Sequence, residues 1–214
     1  MKESAMLEID KLIECYPALS VIKENLVIAT NMIIETYNNG GQLLVCGNGG
    51  SASDSLHIVG ELMKSFKLKR SIDDKTKERI IGMYPEDQDY LIHNLEGSLK
   101  AKSLVSETAL MTAFSNDKSA ELCFAQQVYG YGEPGDTLLA ITTSGNSSNV
   151  IYAAKIAHVK GVKVISLTGD TGGKIKPLSD CLLNVPQSET YQIQEYHLPI
   201  YHALCLAVEK EFYE

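Results

Sequence analysis

The stretch LLVCGNGGSASDSLHIVGEL, residues 43–62, contains the pattern from which the architecture follows. Leu43-Leu44-Val45-Cys46 is a short continuous apolar run. It stops at Gly47-Asn48-Gly49-Gly50-Ser51, and a helix-like stretch follows to about Phe66. The same grammar recurs downstream. Leu138 to Ile141 is a buried-type run, followed by Thr142-Thr143-Ser144-Gly145-Asn146-Ser147-Ser148 and a helical stretch through about Lys160. Val162 to Leu167 ends in Thr168-Gly169-Asp170, and Cys181 to Val185 precedes a helix from about Thr190 to Glu211. Apolar runs alternating with helices predict βαβ units and a parallel sheet covered on both faces.

Outward from this core, residues 3–15 and 18–38 show helical apolar spacing, separated by Pro17 and stopped by Gly40-Gly41. These helices pack either on the domain or on a partner subunit. Residues 64–102 read differently, as a charged insertion with one or two short helices. Its basic residues, among them Lys67, Lys69 and Arg70, form either a solvated face or a lid over an anionic ligand.

The chain has 214 residues, 44% hydrophobic and 21% charged, which suits one globular domain over residues 1–214. A formal charge of −8 speaks against a general nucleic-acid partner, whose footprint is basic. It does not speak against a small anion held by local donors. No run of 18 apolar residues predicts a membrane span, and the N-terminus lacks a signal-peptide core. Five cysteines, none in CxxC spacing, predict buried free thiols of a cytoplasmic protein.

In an open parallel sheet, ligands bind beyond the carboxyl ends of the strands. Both Gly/Ser loops, 47–51 and 142–148, fall at such ends and lead into helices, whose first N–H groups are unpaired. The second loop offers many hydroxyls and no lysine, which suits a phosphate monoester held by neutral donors. Neither loop is a Walker or dinucleotide motif, and a plain turn with a helix cap would use the same residues. Two ionisable sets stand out. His57 and Glu61 lie four apart on one helix face, and the last helix contains Gln194, Glu195, His197 and His202 among apolar residues.

CGNGGSASDSLHIVGEL (46–62), ITTSGNSSNVIYAAK (141–155), VISLTGDTGGK (164–174) and IQEYHLPIYH (193–202) together resemble the phosphoheptose isomerases, single-domain members of the sugar isomerase (SIS) family. The resemblance covers about 41–63 and 103–212. It implies a flavodoxin-like three-layer α/β sandwich, with a central parallel sheet of about five strands and N-terminal helices. It implies a metal site, usually Zn2+, on His57, Glu61, Gln194 and His202. It assigns the sugar phosphate to Thr142, Thr143, Ser144 and Ser147, and the sugar chain to Asn48, Gly49, Gly50 and Ser51. The family's Asn-Asp pair maps to Asn116 and Asp117, and Gln194 is also placed at the substrate.

The implied reaction converts a ketose phosphate to an aldose phosphate through an enediol, with Glu61 as carbon base and His202 as the second acid/base. Sedoheptulose 7-phosphate is the implied substrate, and a homotetramer with sites at subunit interfaces the implied assembly. The alternatives are a non-catalytic SIS protein that senses a sugar phosphate or associates with a replication initiator, and an amino-sugar-phosphate lyase or etherase. Glu61 and His202 favour catalysis over the scaffold. Two departures from the family pattern bear on the substrate: the long 64–102 connection, and Gln187 to Gln192 before the IQE motif. Gln194 and His202 are eight residues apart, roughly 12 Å along a helix. Pro199 between them predicts a disturbed helix. Either an ion lies between two long side chains, or the ligands come from different subunits.

Overall fold

A computed structural model describes residues 1–214. Helices α1 (Glu3–Cys15) and α2 (Lys23–Asn38) are joined by a 3-10 helix, Pro17–Ile22. Strand β1 (Leu43–Cys46) leads into α3 (Gly50–Met63). Two short helices follow, α4 (Asp74–Met83) and α5 (Gln88–Asn94), then β2 (Ala101–Ser103), α6 (Thr108–Phe114) and α7 (Cys123–Tyr131). The chain continues through β3 (Thr137–Ile141), α8 (Ser148–Val159), β4 (Lys163–Thr168), β5 (Cys181–Asn184) and α9 (Thr190–Tyr213).

The five strands are all parallel, in the order β2-β1-β3-β4-β5. Alternate residues of each strand serve opposite faces. Leu43, Val45, Leu139 and Ile141 join a core with α2, α3 and α9, whereas Leu44, Cys46, Leu138 and Ala140 join a second core with α7 and α8. From β1 the chain crosses to β2 on one side, and from β3 to β4 on the other. Right-handed crossovers in opposite directions put α3 and α8 on opposite faces of the sheet. The loops after β1 and β3 therefore diverge, and a crevice opens between them.

The N-terminal helices pack on the domain itself. α1 lies along α9 and buries Ala5, Ile9 and Leu12. The continuous helical stretch Pro17–Asn38, with mean hydropathy 1.2 over its best window, is long and apolar enough to cross a membrane by composition. Its Leu19, Ile22, Leu26 and Ile33 are nevertheless buried in the core against the sheet and α9. All five cysteines are free thiols, and every one except Cys15 is buried.

Two expectations are corrected. α9 runs unbroken through Pro199. A proline forfeits one ladder bond, and the packing of Ile193, Ile200, Leu204 and Val208 in the core holds the helix on both sides of it. The segment 64–102 is also not one solvated excursion. α4 and α5 bury no residue, and their base is pinched by an antiparallel bridge between Ser71 and Glu96. The ends belong to the domain, however. Ala101–Ser103 is the edge strand, too short and too polar to read as an apolar run. Arg70, at 1% exposure, is buried and cannot belong to a lid. Its Nε donates to Glu209 Oε1 at 2.8 Å, and its guanidinium also donates to the carbonyls of Leu62 and Glu61. Glu209 in turn accepts the backbone N–H groups of Phe66, Lys67 and Leu68.

Candidate active site

Helices α3 and α9 lie side by side and run in the same direction: Gly50 meets Gln194, and a turn or two later His57 meets Tyr201 and His202. At the first contact a Cβ on Gly50 would lie 2.5 Å from Gln194 Nε2, so a larger residue there would push the Gln194 amide aside. Further along the seam, His57 Nε2 faces Glu61 Oε1 at 3.2 Å, one turn apart on α3. The other Glu61 oxygen takes a hydrogen bond from Lys64 Nζ at 3.2 Å. The rings of His57 and His202 stand edge to face, centroids 5.0 Å apart, and the Phe66 ring lies tilted against His202 at 5.5 Å. Burial first, and then the nearby His57, lower the His202 pKa below the ordinary histidine value, while Glu61 opposes them. A neutral imidazole can accept a proton, so the shift equips His202 as a base near neutral pH.

The structure thus gathers His57, Glu61 and His202, but Gln194 stands apart at the GNGGS turn, separated from His202 by the roughly 12 Å that eight helical residues impose. No group of three or more His, Cys, Asp or Glu side chains is drawn together as a ready cage for an ion. The donor chemistry still fits a divalent metal such as zinc, since imidazole and carboxylate are its ordinary ligands. His202 Nε2 is buried with no hydrogen-bond partner, an unfavourable state that a cation at that atom would relieve.

The two loops meet above this seam. Asn48 and Asn149 exchange both amide hydrogen bonds, each 2.9 Å, across the crevice between β1 and β3. Thr142 and Ser147 hydroxyls are 3.2 Å apart, Ser144 Oγ accepts the Asn146 N–H, and Thr143 O accepts the Gly169 N–H. Gly145, at φ +67°, lets the loop press on 172–173; a Cβ would fall 2.1 Å from the Gly172 carbonyl oxygen. Ser51 is buried at the start of α3, while Gly49, at φ +57°, precedes that helix. Asn116 and Asp117 lie in a π-helical turn after α6, exposed and hydrogen-bonded to each other at 2.9 Å. They make no hydrogen bond to the loops or the seam.

The SIS domain profile matches residues 91–169. The phosphoheptose isomerase of Helicobacter pylori strain Shi470 is 40% identical over 195 residues, spanning 91% of this chain and 88% of the relative. The solved phosphoheptose isomerases of Neisseria gonorrhoeae and Francisella tularensis superpose with TM-scores of 0.74 and 0.76. They are 34% and 30% identical and cover 95% and 94% of this chain, each over 94% of its own length. The chain belongs to the phosphoheptose isomerase family. It is an isomerase of SIS fold.

Several residues of this isomerase's site escaped the sequence reading. Asn149 lies inside a recognised motif, but nothing in its spacing reveals that it pairs with Asn48. Tyr201 and Asp54 lie inside recognised motifs without being singled out, yet Tyr201 Oη lies 3.0 Å from His57 Nδ1 and donates to Asp54 Oδ1 at 3.4 Å. Arg70 read as one charge in a basic run, yet it fixes the carboxyl end of the helix that bears Glu61.

Proposed function

We propose that this isomerase interconverts sedoheptulose 7-phosphate and D-glycero-D-manno-heptose 7-phosphate, in one or the other anomeric form, through an enediol. The observation that supports it best is the cluster of His57, Glu61 and His202 below two donor-rich loops at the sheet's switch point. The phosphate would lie in loop 142–148, against the hydroxyls of Thr142, Thr143, Ser144 and Ser147 and the first N–H groups of α8. The sugar chain would run along the GNGGS turn, past Asn48, Gly49, Gly50 and Ser51, with the Gln194 amide beside it. Asn116 and Asp117 would join only if the π-helical turn swings toward the crevice.

Glu61 would take the proton from the carbon next to the carbonyl and return it to the neighbouring carbon. His202, kept neutral by its surroundings, would move the proton between the oxygens. His57, Glu61 and His202 would hold Zn2+ or another divalent ion. Such an ion, when bound, stabilises negative charge on the enediolate oxygens. Gln194 is the member of the proposed ligand set that a single chain keeps at a distance, so its contact with the sugar has the better geometric support. Exposed Leu7, Val21 and Ile28 on α1, the 3-10 helix and α2 support self-association, for which we propose a homotetramer. A cytoplasmic location suits the free thiols.

The test is incubation of zinc-loaded and chelated protein with sedoheptulose 7-phosphate. Heptose product formed only by the loaded protein is expected. No turnover in either form, with sugar phosphate still bound, would replace the enzyme with the sensing scaffold.

A further inference from the structure

We propose that Tyr201, backed by Asp54, is a positioning residue that determines which nitrogen of His57 carries its proton and which faces Glu61. The inference rests on the reading of His57, Glu61 and His202 as the reacting centre.

Tyr201 is 1% exposed. Its hydroxyl lies between two partners, His57 Nδ1 at 3.0 Å and Asp54 Oδ1 at 3.4 Å. A phenol has a single proton to donate, and a carboxylate can only accept. When Tyr201 donates to Asp54, its oxygen is left as an acceptor toward His57. Nδ1 must then be the protonated nitrogen, and the chain of donors runs His57 to Tyr201 to Asp54. The remaining nitrogen, Nε2, faces Glu61 Oε1 at 3.2 Å. With Nδ1 committed, Nε2 and the carboxylate are two lone-pair donors face to face, and only a cation between them reconciles the pair. In a loaded protein a divalent ion would take that place. Metal-bound histidines characteristically donate their second N–H to an outer acceptor in this way.

The arrangement leaves the Nε2 edge of His57 facing Glu61. The Tyr201 ring meets the imidazole edge to face, centroids 5.5 Å apart at 75°, from the Nδ1 side. Consecutive residues on a helix point about 100° apart. Tyr201 and His202 therefore reach α3 from different directions, one fixing His57 and the other facing it. A phenylalanine at 201 would fill the same core space without the hydroxyl, so packing alone does not account for the tyrosine.

The experiment compares wild type, Tyr201→Phe and Asp54→Ala by imidazole 1H–15N NMR of the metal-free and Zn2+-loaded proteins, and by Zn2+ competition against a chromogenic chelator. Expected are a protected His57 Nδ1–H resonance in wild type in both states and its loss in Tyr201→Phe. In Asp54→Ala the freed phenol proton turns to Nδ1, which then reads as unprotonated. Zn2+ affinity should fall about 10- to 100-fold in both variants. An Nδ1–H resonance in Tyr201→Phe like that of wild type, or an unprotonated Nδ1 in wild type, would overturn the proposal. Should wild type bind no Zn2+ while the Nδ1–H resonance behaves as expected, the relay stands and the metal reading falls.

Discussion

The helices that leave β1 and β3 start side by side, yet they are built from opposite chemistry. α3 presents Asp54, His57 and Glu61 within two turns, and α9 adds Tyr201 and His202 to the same seam. The opening of α8 presents only Ser147, Ser148 and Asn149, neutral groups around unpaired backbone N–H donors. On the proposed assignment, the difference separates two tasks. A phosphate would be held by dipoles that do not titrate, so its binding would not compete for protons with the reacting groups. Proton transfer needs groups whose charge can change, and burial lowers the pKa of His202 among them. Because right-handed crossovers put α3 and α8 on opposite faces of the sheet, the two sets meet only at its carboxyl edge.

The contrast can be broken most sharply on the titratable side. Glu61→Gln and His202→Ala should each lower kcat by about 100- to 10,000-fold with little change in KM for a heptose phosphate. Steady-state kinetics check this, and wild-type rates in both variants would remove the assignments. Next in size, Arg70→Met leaves the buried Glu209 carboxylate without its charged partner and should cost about 3–5 kcal/mol in chemical denaturation.

A pH effect follows from His197, also on α9 but buried under β4 with its Nε2 at 3.4 Å from the Thr168 carbonyl. Burial lowers its pKa from 6.5 to about 4. The unfolded chain therefore binds this proton first as pH falls. The stabilisation from His197 is complete above about pH 6.5 and is lost between there and about pH 4, up to about 3 kcal/mol. Denaturant midpoints across that window, steeper in wild type than in His197→Gln, are the check.

On the neutral side, Ser144→Ala should raise KM about tenfold and leave kcat nearly intact, as loss of one hydrogen bond to a charged phosphate predicts. A fall in kcat instead would erase the division between the two helices. The smallest effect belongs to Lys67→Gln with Lys69→Gln. Both lysines are exposed, and KM should not move; a rise would restore them to a lid.

Much of this architecture could be read directly from residue order. The apolar runs at 43–46 and 138–141 and the largely apolar stretch 162–167 read as buried strands, and each ended in a loop rich in small residues. His57 and Glu61, four apart, had to share a helix face. What escaped were contacts between residues far apart in the chain. The reciprocal amides of Asn48 and Asn149, the Tyr201 hydroxyl at His57 and the burial of Arg70 on Glu209 span 101, 144 and 139 residues. No periodicity encodes such pairs. Local spacing also failed at β2, whose three residues include Lys102, and at Pro199, where the core on both sides outweighed one lost ladder bond.

By itself, then, the amino-acid sequence determined the alternation of strand and helix, the parallel sheet and the residue types at its carboxyl edge, because backbone geometry ties each to a local period. Tertiary structure alone decided which of those residues meet. It brought His202 to His57, kept Gln194 two turns away and turned a lysine-flanked arginine into a buried anchor. The physical reason is that a helix fixes distances only along its own axis, whereas the seam between α3 and α9 is set by side-chain volume packed against the sheet.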